Sequence, residues 1–194
     1  MCGGTTDAHE PLPAVARPAC RHGRAPTKLH RMMMLRGATR EDCPALLGLN
    51  AASVRVLSEL DQERLQYILS LAHRCLVVES DGEVVAFALA LAPDTRYDSK
   101  NYRWFGERYE RFLYLDRIAV AAPHRRRGIG ALLYDSMEAT AAPLQRIVCD
   151  VNIDPPNEVS LAFHAARGFQ EVGRLAHGDV KVVALMSKEL ARAS

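Results

Sequence analysis

From Ala121 the chain reads Ala-Ala-Pro-His-Arg-Arg-Arg-Gly-Ile-Gly, a run able to hold a phosphate. Gly128 and Gly130 let the backbone turn tightly and approach a ligand with no Cβ in the way. The unpaired N–H groups of the helical turn that follows converge, and the helix dipole adds partial positive charge. Arg125, Arg126 and Arg127 bring further cations to the same place. A Walker loop would need Lys-Ser/Thr after the glycines, and a dinucleotide fingerprint would need glycine where Leu133 stands. Asp135 and Glu138 on the next helix argue against a DNA-backbone contact. The plain alternative is an ordinary glycine turn with solvated arginines.

Proton chemistry has its own candidates. Asp116, in the strand Phe112–Val120, is expected to share a face with Tyr114, Ile118 and Val120. A carboxylate among such neighbours is desolvated and its pKa raised, which suits deprotonating an amine or holding an ammonium. An ion pair with Arg103 or Arg108 is the bland reading. On strand 146–154, Asp150, Asn152 and Asp154 alternate with Ile147, Cys149, Val151 and Ile153, so the polar set is expected to line a cleft. Cys149 falls on the apolar set, which argues against a covalent acyl-cysteine. No Ser-His-Asp arrangement stands out, and no metal set is predicted.

The elements that must carry these residues read in the order β-αα-β-β-β-α-β-α-β-β, a mixed α/β sheet covered on both faces. A first strand begins at Leu35. Thr39-Arg-Glu-Asp42 resembles a capping box, followed by Leu46, Leu49 and Val56 at helical spacing. A second helix spans 61–72. Strands 75–80 and 83–91 flank Asp81-Gly82, which predicts a type I′ hairpin. A helix over 128–142 follows the third long strand and is followed by strand 146–154. A helix over 157–167 and a hairpin of 169–176 with 181–189 complete the order. The connection from Pro93 to Arg111 holds Tyr97, Tyr102, Trp104, Phe105 and Tyr109, and reads as a substrate-facing lid, as a short helix over 104–111 whose aromatics pack, or as both.

Composition bounds the rest. The 194 residues carry a net charge of +2. Their longest apolar run, Val84 to Ala92, is far short of the ~20 residues of a membrane span. Residues 1–34 contribute +3, from Arg17, Arg21, Arg24, Lys28 and Arg31 against Asp7 and Glu10, leaving −1 on the remainder. With Pro11, Pro13, Pro18 and Pro26 in that head, residues 1–29 are expected to be a disordered extension and 30–194 the folded domain. The head has no apolar region of a secretory signal, and the five cysteines include no CxxC, so reduced thiols in the cytoplasm are expected. Near-neutral charge speaks against a dedicated nucleic-acid binder.

Two motifs together resemble the GNAT superfamily of N-acetyltransferases. Its signature [Arg/Gln]-x-x-Gly-x-[Gly/Ala] after a long strand is met by Arg125, Gly128 and Gly130. A downstream element is largely met by Asn157, Ser160, Phe163, Gly168 and Phe169. The strand Asp116–Val120 and the segment Val151–Asn157 are similar to a bacterial branch of predicted acetyltransferases. The resemblance covers residues 33–190. It implies a mostly antiparallel central sheet of about seven strands flanked by helices, and direct acetyl transfer from acetyl-CoA to a primary amine. Pyrophosphate would sit on the amides of Arg126, Arg127, Gly128, Ile129, Gly130 and Ala131, with Arg125 beside them. The pantetheine arm would pair with Ile118, Ala119 and Val120, where that strand splays from 146–154. Asn157 would reach pantetheine or simply cap its helix. Phe163 would pack beside it or join an apolar stripe with Val159, Ala162 and Ala166. The superfamily often places a proton-donating tyrosine four residues before Gly-Phe, where this chain has His164. His164 is therefore the expected acid or a packing residue, with Tyr134 a substitute, and Asp116 the expected base. A non-catalytic acyl-CoA sensor on the same fold is the alternative. The aromatic connection favours a small amine over a protein, and pairing through the C-terminal strands offers a route to a homodimer.

Overall fold

A computed structural model describes residues 33–54 and 57–191. The predicted extension 1–29 and Val56 lie outside the described residues. Seven strands form one sheet: β1 (Met33–Gly37), β2 (Arg74–Ser80), β3 (Glu83–Leu91), β4 (Leu113–Val120), β5 (Arg146–Asp154), β6 (Gln170–His177) and β7 (Lys181–Glu189). Their spatial order is β1-β2-β3-β4-β5-β7-β6, and only β4–β5 is parallel. The expected mixed, mostly antiparallel sheet is therefore present. Helices α1 (Cys43–Ala51), α2 (Gln62–Leu71) and α3 (Lys100–Gly106) cover one face; α4 (Ile129–Ala141) and α5 (Glu158–Ala166) cover the other. No helix among the described residues is long and apolar enough to cross a membrane.

Local chemistry explains the element ends. Asp42 accepts from the Thr39 N–H at 2.7 Å and pairs with Arg36 at 2.7 Å, which holds its carboxyl down at about 2. Asp61 caps α2 by accepting from the Arg64 N–H at 2.7 Å. Asp81 and Gly82 both take positive φ (56° and 84°), as a type I′ turn requires. β1 starts at Met33, two residues before the predicted start.

Two features set the site. The β4–β5 ladder pairs Leu113 with Ile147 and Tyr114 with Val148 and then stops, so the strands part beyond Tyr114. The β3–β4 register also shifts: Ala90 faces Leu115 whereas Leu89 faces Arg117. Asp116 is the extra residue of a β-bulge. Alternation therefore reverses there. Leu113, Leu115, Ile118 and Val120 join the core beneath α4, whereas Tyr114 and Ala119 pack on the α1–α3 face. The expected common face of Asp116 with Tyr114, Ile118 and Val120 is corrected by the bulge.

The Pro93–Arg111 connection folds into α3, four residues earlier than the predicted helix. Ser99 caps it, its Oγ accepting from the Tyr102 N–H. Tyr102 and Phe105 are buried with Phe112 and Tyr114, their ring centroids 5.7–6.3 Å apart. Trp104 lies across Gly173 of β6, where an added Cβ would stand 2.5 Å from Cζ2. Gly173→Ala is expected to destabilise the fold by about 1–3 kcal/mol. Denaturant unfolding followed by Trp104 fluorescence checks this; an unchanged midpoint contradicts the packing described.

Candidate active site

The cradle forms as its residues require. Gly128 adopts φ +81° and immediately precedes α4, and Arg126 also lies at positive φ (61°). These two left-handed residues flank Arg127 in an exposed turn at the head of a 13-residue helix, the kind of backbone that can turn amides toward an anion. At Gly130 an added Cβ would meet only Phe163, at an ordinary contact distance of 4.0 Å, so space within the protein does not demand glycine there. Ile129 turns its side chain into the core, leaving only its backbone to a ligand. Arg125, Arg126 and Arg127 are exposed, and Arg125 Nε donates to the Val120 carbonyl at 3.0 Å.

Where β4 and β5 part, a narrow cavity of about 70 Å³ opens between the strands. Asp116, Ile118, Asp150, Asn157 and the Tyr134–His164 pair line it. Asn157 caps α5, its Oδ1 accepting from the Ser160 N–H at 3.2 Å. The predicted apolar stripe on α5 is corrected: Val159 is 73% exposed, and Ala162 and Ala166 also face solvent. The helix is instead turned by Arg167, which binds Glu138 at 2.8 Å and Asp135 at 2.6 Å on α4, and by His164. Phe163 remains half-buried, its ring 5.1 Å from that of Tyr134.

His164 is 3% exposed. Its Nδ1 lies 2.7 Å from the Ser160 carbonyl, which can only accept, so Nδ1 carries the proton. Nε2 then accepts from the Tyr134 hydroxyl. Burial lowers the pKa of His164 and raises that of Tyr134 well above its ordinary value. Neutral His164 thus has no proton facing the cleft, and its route to a ligand runs through Tyr134.

Asp116 and Asp150 also line a second cavity of about 360 Å³, on the α1–α3 face, with Tyr97, Tyr114 and Arg117. The Tyr97 hydroxyl donates to Asp116 Oδ1 at 2.8 Å and the Tyr114 hydroxyl to Asp150 Oδ1 at 2.6 Å. The cation beside Asp116 is Arg117, 3.1 Å away, and neither Arg103 nor Arg108. Asn50 and the Ser58 carbonyl fix that guanidinium at 2.8 and 2.9 Å. Burial raises the pKa of both aspartates, and the Asp150 charge raises that of Asp116 further; Arg117 and Tyr97 oppose this for Asp116, Tyr114 and Asn101 for Asp150. Asp150 has no ion-pair partner within contact among the described residues.

Sequence reasoning missed Arg117, because alternation places it opposite Asp116 and only the bulge brings the two together. The lid reading is narrowed: of that segment's aromatics, Tyr97 lines this cavity whereas Tyr102 and Phe105 are core. Cys149 is buried and burial raises its thiol pKa, which keeps it protonated. Among the described residues no group of three or more His, Cys, Asp or Glu is placed to hold a metal ion. A larger cavity of about 890 Å³ between the β1–β2 edge and α1–α2 has no carboxylate in its lining.

Comparison with known proteins agrees with the fold. No curated protein matches the sequence. The alanine N-acetyltransferase of a ribosomal protein from Escherichia coli superposes with a TM-score of 0.63 at 15% identity, over 84% of this chain and 97% of its own. A ribosomal-protein-alanine N-acetyltransferase from Brucella melitensis gives 0.61 at 25% identity, over 81% and 99%. A proposed acetyltransferase from Salmonella typhimurium, solved with its cofactor acetyl-CoA, gives 0.60 at 18%, over 84% and 96%. The model of the acetyltransferase (GNAT) family matches residues 41–169, which span the bulged strand, the cradle and the Tyr134–His164 pair. With that match over most of the chain and the sheet order it accompanies, the protein belongs to the GNAT acetyltransferase family.

Proposed function

We propose that the protein transfers acetyl from acetyl-CoA to a primary amine, directly and within a ternary complex. The observation that carries this reading is the gap where β4 and β5 part, lined by Asp116 and Asp150, on the strand whose end leads into the glycine turn before α4. The residues present fit the cosubstrate. Gly128 and Gly130 leave the cradle free of side chains, and β4 beyond Tyr114 has no strand on its β5 side. Amides from Arg126 to Ala131, with Arg125 and Arg127, would hold the phosphates. Ile118, Ala119 and Val120 would offer the strand edge, with Asn157 and Phe163 opposite. When bound there, acetyl-CoA supplies an activated acyl thioester. A pure sensor has no use for paired buried carboxylates, which favours the enzyme.

Asp116, kept anionic by Arg117, holds the substrate ammonium. Asp150, with no such cation, takes its proton and frees the nitrogen lone pair. On the far side, Tyr134 delivers a proton to the leaving sulfur. Burial disfavours the phenolate, so Tyr134 must be reprotonated at once; the proton that the attacking nitrogen sheds as the amide forms restores it, and neutral His164, accepting at Nε2, positions the Tyr134 hydroxyl. The expected pH profile has an acid limb that follows the raised carboxylate pKa, rate rising as Asp150 ionises. Because a thiol of pKa ~8.5 leaves fairly well unaided, Tyr134→Phe and His164→Gln are each expected to cost about 10–100-fold in kcat. Both should keep the acid limb, and the double variant should be no slower than the slower single one. Additive losses would separate the two residues. Intersecting initial-rate lines with both substrates varied test the ternary complex; parallel lines would contradict it. Free Cys43, Cys75 and Cys149 among the described residues would suit a reducing compartment such as the cytoplasm.

A further inference from the structure

We infer that the acceptor is a free amino acid or a similarly sized amine bearing a carboxylate, held at both ends by the 360 Å³ cavity. This rests on the acetyl-transfer reading above. The cavity lining carries both signs of charge: Asp116 and Asp150, and Lys100 at the start of α3 together with His177 and Lys181 of the β6–β7 hairpin. His177 and Lys181 are direct cross-strand partners, and Lys181 shares the sheet face of Val183 and Leu185, so both side chains rise beside the Asp150 carboxylate.

The cations differ in how they are engaged. Arg64, at the rim, is committed to Asp98 at 2.5 and 2.9 Å and lies over the Tyr97 ring at 5.3 Å. Arg117 is committed to Asp116, Asn50 and Ser58. Lys100 and Lys181, by contrast, make no hydrogen bond or ion pair with any described residue, although Asp150 lies close enough to feel the Lys181 charge. His177 Nε2 bonds to Asn101 Oδ1 at 2.8 Å, and burial, then the Lys181 and Lys100 charges, lower its pKa against the opposing Asp150 charge, which favours the neutral ring and leaves the two lysines as the free charge. Glu59 at the mouth is the remaining acidic lining residue. Tyr97 and Tyr114 also line the cavity, their hydroxyls on Asp116 and Asp150.

Two carboxylates and two lysines without a hydrogen bond or ion pair, lining one cavity, match a zwitterion with its ammonium at the carboxylates and its carboxylate at the lysines. A cavity of this volume sits at the lower end of small-ligand sites. A plain amine would leave both lysines without a partner, and a peptide amino terminus would present a neutral amide to them.

The test compares free amino acids with the matching amino-acid amides, spanning small, acidic and aromatic side chains, as acceptors for acetyl-CoA. The amide has the same size, lacks the negative charge, and carries the less basic amine, so chemistry alone favours it. The full-length enzyme should instead prefer at least one free acid over its amide by about 10–100-fold in kcat/KM, the range of hydrogen bonds to charged groups. Lys100→Gln/Lys181→Gln should collapse that ratio toward or below one. Acetylation of amides as fast as acids overturns the inference and leaves acetyl transfer standing, as does a preference for the acid that survives the double substitution. Absence of acetylation of every acid and every amide overturns the transfer reading and this inference with it.

Discussion

Asp150→Asn is expected to lower kcat/KM by about 10²–10⁴-fold, the usual worth of a positioned general base. The substitution keeps the size and the hydrogen bond to Tyr114 but removes the proton acceptor. The acid limb of the pH profile should vanish with it. Stability is expected to move the other way. A buried carboxylate with a raised pKa binds its proton more tightly in the folded state than in the unfolded one. Its stabilising share is therefore present below the unfolded pKa and is lost as pH rises through the folded value. At neutral pH the native protein bears the cost of an ionised buried group, and asparagine relieves it. An inactive Asp150→Asn with an equal or higher melting temperature at neutral pH, and no such gain at pH 3, fits the assignment. Full activity with an unchanged profile contradicts it. Asp116→Asn should behave differently: it leaves the Arg117 guanidinium without its carboxylate, so stability falls together with amine affinity.

Gly128→Glu is expected to weaken CoA binding by about 100-fold or more. Two costs add. A residue with a Cβ at φ +81° carries about 1–2 kcal/mol of backbone strain, and a carboxylate is placed where phosphate charge would lie. Open space surrounds the Cβ position, so the loss cannot be assigned to a clash within the protein. Gly128→Asn separates the two costs, since asparagine tolerates the left-handed region and brings no charge. It should lose far less affinity than Gly128→Glu. Titration calorimetry with CoA measures both, and equal affinities for wild type and Gly128→Glu would remove the phosphate site.

How far the sequence was legible depends on the range of the interaction involved. The cradle, the Asp81-Gly82 hairpin and the Asn157 cap are decided by residues within a few positions of each other, and all three stand in the structure. The polar set of β5 was legible in part: Asp150 and Asn152 line the gap as their alternation predicts, whereas Asp154, past the register shift after Asn152, is exposed and does not. The bulge at Asp116 was not: it arises from registry between β3 and β4, and nothing in Leu115-Asp116-Arg117 marks an extra residue. That one shift exchanged the neighbours of Asp116 and brought in Arg117. The α5 stripe misled for a related reason. Its apolar residues do lie at helical spacing, but the buried His164–Tyr134 bond and the Arg167 ion pairs fix the rotation of a nine-residue helix. Ser99, a capping residue read as part of a loop, moved α3 four residues toward the N-terminus.

The central claim is that this fold moves an acetyl group from CoA to an amine without passing it through the protein. Acetyl-labelled CoA, incubated with the full-length enzyme and followed by mass spectrometry with and without a panel of amino acids, tests it most directly. The account predicts no labelled protein in the absence of acceptor, and equal amounts of labelled amide and free CoA thiol when a suitable acceptor is present. Label retained on the enzyme, or tight CoA binding with no labelled amide from any acceptor, would contradict it.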